Sequence, residues 1–278
     1  MSRLSLFIDI TKCTGCFNCF LSCRDEYYGN EYPGYSAAQP LNEHFWMQIK
    51  EVERGIYPKP KLSYIPIPCQ HCAEAPCMTA SENGAVVRRQ DGIVLIDPEK
   101  AKGQKGIVNA CPYRVIFWNQ EKNIPQKCTL CAHRLDEGEK QPRCVESCPT
   151  GALVFGDLDD ASSEIAKLSA AKKTEFFHPE FNTAPLVRYL GLPKRFIAGE
   201  VVFKGKEGEC APGVKVTLSG DGFMQQTVSN EYGDFEFEGL DNNMAYRIVF
   251  EQAGYAAKEL DVITRTDINL GEVELTPL

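Results

Sequence analysis

The sequence predicts an α+β chain in two parts: a cysteine-rich core of short elements and irregular loops, then a small antiparallel β-sandwich. Three observations carry this reading. Twelve of the thirteen cysteines in the 278 residues fall before residue 149, most of them in C-x2-C runs. Residues 24–68 are dense in Tyr, Pro and Gly, which disfavours long helices there. From Phe196 the chain turns to short alternating or β-branched stretches separated by Gly, Asn and Asp. The expected organisation is a core over 1–156, a connector over 157–196 and the sandwich over 197–278.

Composition bounds the function. With 43% hydrophobic and 24% charged residues the chain can bury a core, which excludes wholesale disorder. A formal charge of −8 excludes nucleic acid as the principal partner, since phosphate binding needs a basic face. No apolar run approaches the roughly 18–20 residues of a membrane span. The stretch Leu4–Ile10 is too short for a secretory signal, and no twin-arginine pair precedes it. A cytoplasmic location is therefore expected, with an export signal on a partner as the alternative. No Ser–His–Asp constellation, phosphate loop or dinucleotide fingerprint is present, so no catalytic residue is assigned.

The cysteine spacing is more specific. Cys13, Cys16, Cys19 and Cys23 form C-x2-C-x2-C-x3-C; Cys69, Cys72 and Cys77 form C-x2-C-x4-C, and Cys111 stands alone; Cys128, Cys131, Cys144 and Cys148 form C-x2-C-x12-C-x3-C. Structural zinc uses two C-x2-C pairs split by a longer loop. The first run instead has the bacterial ferredoxin spacing, in which three thiolates hold one [4Fe–4S] cube and the fourth reaches to a second. Pro112 and Pro149 directly follow Cys111 and Cys148, where a fixed φ stops a helix beyond the ligand. The core is thus read as a double, bacterial-ferredoxin-like, cluster-binding domain.

Four places could hold a run, and the third is degenerate. Read back from Cys111, the ligand positions hold Ala101, Gln104 and Ile107, and the fourth position of the second run holds Ser81. Pairing the second run with the third completes one cube with Cys69, Cys72, Cys77 and Cys111. The other cube of that pair has no thiolate at all. The first and fourth runs then give Cys13, Cys16, Cys19 and Cys148 to one cube and Cys23, Cys128, Cys131 and Cys144 to another, leaving Cys210. Spacing alone also permits other pairings, including first with second. Only the nested one explains the joint loss without stranding a ligand.

The stretches Cys13–Cys19 (CTGCFNC), Cys69–Cys77 (CQHCAEAPC), Asp91–Val94 (DGIV), Ala110–Arg114 (ACPYR), Lys127–Cys131 (KCTLC) and Cys144–Ala152 (CVESCPTGA) resemble the iron–sulfur subunits of molybdopterin oxidoreductases of the dimethyl sulfoxide reductase superfamily. The resemblance spans residues 1 to about 195. It implies the same nested pairing, an electron-transfer role, and a large partner subunit in a heterodimer or higher assembly. That partner would hold a molybdenum bis(pyranopterin guanine dinucleotide) cofactor. Family members commonly keep four clusters, whereas the positions of Ser81, Ala101, Gln104 and Ile107 leave three here. Many also carry or meet a membrane anchor; this chain has no membrane segment and carries a β-rich appendage. Three clusters with such an appendage resemble the small subunits of phenol transhydroxylases. Other molybdenum or tungsten enzymes of the superfamily, acting on formate, sulfur compounds or arsenic, are the alternative. A zinc-held scaffold is a third reading.

The remaining segments are read from pattern. The aromatic-rich stretch 24–68 is expected to wrap the core or dock the partner. Lys12, Arg24, His71, Arg114, Lys127, His133 and Arg134 sit beside ligands and either tune the clusters or are solvated charges; neither histidine is at ligand spacing. Phe117 and Trp118 are expected to shield a cluster. Asp159–Lys173 predicts a helix capped by Ser162 or Ser163, and 176–195 an extended chain. About seven strands are expected in the appendage, whose stretch Asn230–Leu240 resembles carboxypeptidase-regulatory or collagen-adhesin B-type sandwiches.

Overall fold

The computed structural model describes residues 2–206 and 209–278. They form two compact units. The first takes the residues through Glu51 and Ser63–Leu192; the second takes Val52–Leu62 and Pro193–Leu278. No helix among the described residues is long and apolar enough to cross a membrane.

The elements of the first part are short. β1 (Leu4–Asp9) precedes α1 (Asn18–Tyr27) and a hairpin of β2 (Gln48–Arg54) and β3 (Lys61–Ile67). Then come α2 (Pro76–Thr79), the hairpin β4 (Val86–Arg88) and β5 (Val94–Ile96), α3 (Gly106–Asn109), and the hairpin β6 (Phe117–Asn119) and β7 (Ile124–Gln126). α4 (Ala132–Asp136), α5 (Arg143–Glu146), β8 (Leu153–Asp157), α6 (Glu164–Ala171) and β9 (Arg188–Leu190) follow.

Helix contacts reflect the cysteine pattern. α1 buries Cys19, Cys23 and Tyr27, four residues apart and so on one face. It packs against α5, where the Ser22 and Ser147 hydroxyls meet at 2.7 Å. α2, opened by Pro76 at its first position, packs against α3. The helix of the first run therefore meets a helix of the fourth, and the second run meets the third.

Residues 157–192 lie within this first unit. Ser163 caps α6 by accepting the Ala166 amide at 3.2 Å, and Ile165 is buried beneath it. β1 is the middle strand of a three-stranded sheet, antiparallel to β8 and parallel to β9. The 176–195 stretch is extended where β9 completes that sheet and departs from extended chain at a 3-10 turn, Pro179–Phe181. Tyr189 of β9 is fully buried; its hydroxyl donates to the Pro66 carbonyl at 3.0 Å and accepts from Gln70 Nε2 at 3.1 Å.

Among the described residues from Pro193 onward, the second unit has seven strands: β10 (Arg195–Phe203), β11 (Lys215–Gly220), β12 (Phe223–Val228), β13 (Asp234–Leu240), β14 (Ala245–Glu251), β15 (Lys258–Ile263) and β16 (Ile268–Leu275). They make one sheet in the order β13-β10-β16 and another in the order β12-β11-β14-β15. Alternate residues such as Ile197, Val216, Leu218, Phe235, Phe237 and Phe250 meet in one apolar core. The arrangement differs from the expected antiparallel one at a single pair, since β10 and β16 run parallel. They are the first and last strands of the unit, so no tight turn forces them antiparallel. Within this unit the 52–62 hairpin tip is held by ion pairs, Lys59 with Asp234 at 3.0 Å and Lys61 with Glu236 and Glu238.

Candidate metal centres

Backbone conformation presents the thiols. In three of the four C-x2-C turns, those opened by Cys13, Cys69 and Cys128, the residue before the second cysteine is left-handed: Gly15 at φ 67°, His71 at 45° and Leu130 at 51°. That twist aims its amide at the first thiol of the turn. His71 N donates to Cys69 Sγ at 3.5 Å, Leu130 N to Cys128 Sγ at 3.3 Å, and the Gly15 amide to Cys13. Gly15 has a further reason, since a Cβ there would lie 2.5 Å from the Tyr64 ring. The two Cys-Pro turns behave alike. The Cys111 thiol faces the amides of Val115, Tyr113 and Arg114, and the Cys148 thiol those of Leu153, Thr150 and Ala152. Converging amides of this kind form a nest for negative charge.

All thirteen cysteines are free. Cys13, Cys16, Cys19 and Cys148 line one space of about 330 Å³, and Cys69, Cys72, Cys77 and Cys111 line another of about 340 Å³. Cys23, Cys128, Cys131 and Cys144 are all buried and close enough to interact electrostatically. The thiols ring a space instead of converging on a point, as four thiolates about 2.3 Å from one zinc ion would have to. Among the described residues, no three His, Cys, Asp or Glu are placed to hold a single ion. A donor set of thiols around a wide space, backed by amide donors, fits an anionic iron–sulfur cluster. The buried set also borders both of the others. Cys23 interacts with Cys19 of the first set, and Cys128 with Cys69 of the second, which puts the buried set in the middle.

Burial governs the protons. It pushes Cys19, Cys72 and Cys128 up to about 12 and Cys77 to about 11, and Cys23 and Cys144 well above the usual thiol value. An incoming cation must displace those protons. Cys148 moves the other way: burial would raise it, but the Leu153 amide and the Thr150 hydroxyl, with two further amides, lower it.

The surroundings sort the flanking residues. Lys12 and Arg114 are exposed, as solvated charges would be. Arg24 is half-buried and donates to the carbonyls of Pro40 and His44, pinning the loop after α1. Arg134 joins Glu26 and Glu146, and His133 Nε2 meets Glu26 Oε1 at 2.9 Å. Lys127 is 2% exposed; its ammonium donates to the carbonyls of Val94 and Cys128, and its charge opposes the burial-driven rise at Cys77 and Cys128. His71 is held well below the usual imidazole value by burial, then by Lys127.

The four thiol-free positions also come together. Ala101 and Ile107 are fully buried, the Ser81 hydroxyl folds back onto the Met78 carbonyl at 2.8 Å, and Gln104 bridges to Glu82. Phe117 and Trp118, expected to shield a cluster, do not line the space of the Cys69 set. They are partly buried, and Val115 and Ile116 are among the residues that line it. Two residues were missed by sequence reasoning. Thr183 is 2% exposed, hydrogen-bonds the Tyr113 hydroxyl at 2.7 Å and reaches the Cys72 thiol. Tyr27 donates to Cys131 and shares a 2.7 Å hydrogen bond with Thr129. Thr183 carries no local signal, being far from every cysteine; Tyr27 was detectable as the third residue on the Cys19–Cys23 face of α1.

A family model described as a 4Fe-4S dicluster domain matches residues 60–158. The pyrogallol hydroxytransferase small subunit of Pelobacter acidigallici is 40% identical over 99% of this chain and 100% of its own. A tetrathionate reductase subunit of Salmonella typhimurium is 35% identical over 70% of this chain and 75% of its own. The arsenate respiratory reductase iron–sulfur subunit of a Shewanella species is 31% identical over 68% of this chain and 96% of its own.

Proposed function

The chain belongs to the iron–sulfur subunits of molybdoenzymes, and from that premise we propose that it carries three [4Fe–4S] clusters for the molybdopterin subunit of a pyrogallol–phloroglucinol type transhydroxylase. Cys13, Cys16, Cys19 and Cys148 hold the first cluster, Cys69, Cys72, Cys77 and Cys111 the second, and Cys23, Cys128, Cys131 and Cys144 the third. The observation that carries the choice of enzyme is coverage. The hydroxytransferase relative matches 99% of the chain, including the β-rich unit, whereas the tetrathionate and arsenate relatives match 70% and 68%.

The clusters, when bound, supply one-electron chemistry. The residues of this chain ligate them, exclude water and place amides and Lys127 against their negative charge, which raises their potentials. The partner holds the molybdenum bis(pyranopterin guanine dinucleotide) cofactor and the reacting phenols. Moving a hydroxyl between two phenolic rings involves no net oxidation, so the chain serves to set or restore the metal's oxidation state rather than to pass electrons in every cycle. The β-rich unit is a sandwich of the carboxypeptidase-regulatory or collagen-adhesin B type and holds no chemistry. The assembly is at least a heterodimer and works in the cytoplasm.

The test is iron and acid-labile sulfide analysis of the anaerobically purified complex, where about twelve of each per chain are expected. Cys69→Ala should remove about four of each. Unchanged iron in that variant, or zinc without sulfide, would overturn the reading. If pre-reduced Cys69→Ala complex turns over at the normal rate, an obligatory electron path through that cluster in each cycle is excluded.

A further inference from the structure

His71 lies between two cysteines of the second set, and its surroundings dictate where its proton sits. The Val94 amide donates to His71 Nδ1 at 3.0 Å. A ring nitrogen that accepts a hydrogen bond carries no proton, so the ring is neutral and its one N–H is on Nε2. Nε2 is fully buried and has no hydrogen-bond partner among the described residues. The residue is 1% exposed and lines the space enclosed by Cys69, Cys72, Cys77 and Cys111. A buried N–H without an acceptor is costly, and native structures leave few of them. The orientation is also pre-set. Val94 belongs to β5 and uses both of its peptide groups, its N–H fixing His71 and its C=O taking the Lys127 ammonium. A left-handed His71 backbone, at φ 45°, completes the constraint.

We propose that His71 Nε2–H donates a hydrogen bond to a sulfur of the cluster held by Cys69, Cys72, Cys77 and Cys111, and that this bond raises the potential of that cluster alone. The inference rests on the ligand reading above. Negative charge on the sulfurs grows when the cluster is reduced, so the bond strengthens in the reduced state and favours it. His71 is accordingly a positioning and tuning residue, not a ligand.

The experiment uses the anaerobically purified complex, with the EPR signal of this cluster identified as the one lost in Cys69→Ala. Pulsed EPR of complex labelled with ¹⁵N-histidine should show a weak nitrogen coupling on that signal, and His71→Phe should remove it. Redox titration of His71→Phe should move that cluster's midpoint to a more negative value and leave the other two in place. His71→Gln, whose amide can also donate, should restore part of the shift. Full iron content with neither coupling nor shift would sink the hydrogen bond while sparing the ligand reading. Iron unchanged in Cys69→Ala would sink the ligand reading itself. Should His71→Phe fail to assemble, the wild-type nitrogen coupling and the His71→Gln midpoint still decide.

Discussion

The second and third cysteine runs build two neighbouring sites from one paired module, one ringed by four thiols and the other by none. The thiol site stays open. Its four thiols line a common cavity, and a buried imidazole N–H there has no partner among the described residues. The thiol-free site is closed by two different substitutions of function. Ala101 and Ile107, both fully buried, supply volume. Gln104 supplies the cross-link, with Oε1 accepting the Glu82 amide at 2.8 Å and Nε2 donating to the Lys100 carbonyl at 2.7 Å. A cluster fills space and staples four chain positions at once. A site without its ligands must recover both effects, and the two recoveries can be broken separately.

The largest effect should come from the volume. Ile107→Ala removes a fully buried side chain from the α3 face that meets α2. It is expected to destabilise the first unit by about 2–5 kcal/mol. Thermal unfolding of the anaerobic complex reads this, with iron content as the control: it should stay unchanged, because Ile107 supplies no ligand. An unchanged melting temperature would mean that the thiol-free site is not part of the core.

Gln104→Ala tests the cross-link and should cost less, about 1 kcal/mol, since the freed Glu82 amide is near solvent and water replaces part of the bond. Gln104→Glu keeps one acceptor for that amide and should recover part of the loss. Combining Gln104→Ala with Ile107→Ala should give a non-additive sum, because the residues lie three apart, joined by an Ile107 N–H to Gln104 C=O hydrogen bond, and share a site. Strict additivity would separate the two roles entirely.

The two sites were unequally legible in the sequence. Ligand spacing is a local constraint, since the turns opened by Cys13, Cys69 and Cys128 each twist their own amide onto their own thiol, and that writes a fixed offset into the chain. The loss at Ser81, Ala101, Gln104 and Ile107 was readable for the same reason, as a missing offset. What closes the gaps was not. Gln104 could have been any polar residue until the fold brought Glu82 beside it. Thr183, Val94 and Lys127 reach the second thiol set from three separate stretches. The α6 cap at Ser163 was readable, because a capping hydroxyl acts three residues away. The parallel pairing of β1 with β9 and of β10 with β16 was not, since it depends on chain closure over many tens of residues.

The smallest expected effect is the most pointed. Ser81→Cys restores a single thiol at the end of α2, where the serine hydroxyl now bonds the Met78 carbonyl at 2.8 Å. Stability should change by no more than about 1 kcal/mol, the worth of one exposed-side hydrogen bond. Iron should not change. One thiolate in four cannot hold a cube, and Ala101, Gln104 and Ile107 offer no further sulfur. The comparison predicts more than that, because the space a cube would need is already taken by Ile107 and spanned by Gln104. Iron and sulfide of the Ser81→Cys complex should therefore match wild type at about twelve per chain. A rise toward sixteen would show that the closed site still opens for a cluster, and that volume and cross-link are occupants of the cavity instead of its replacement.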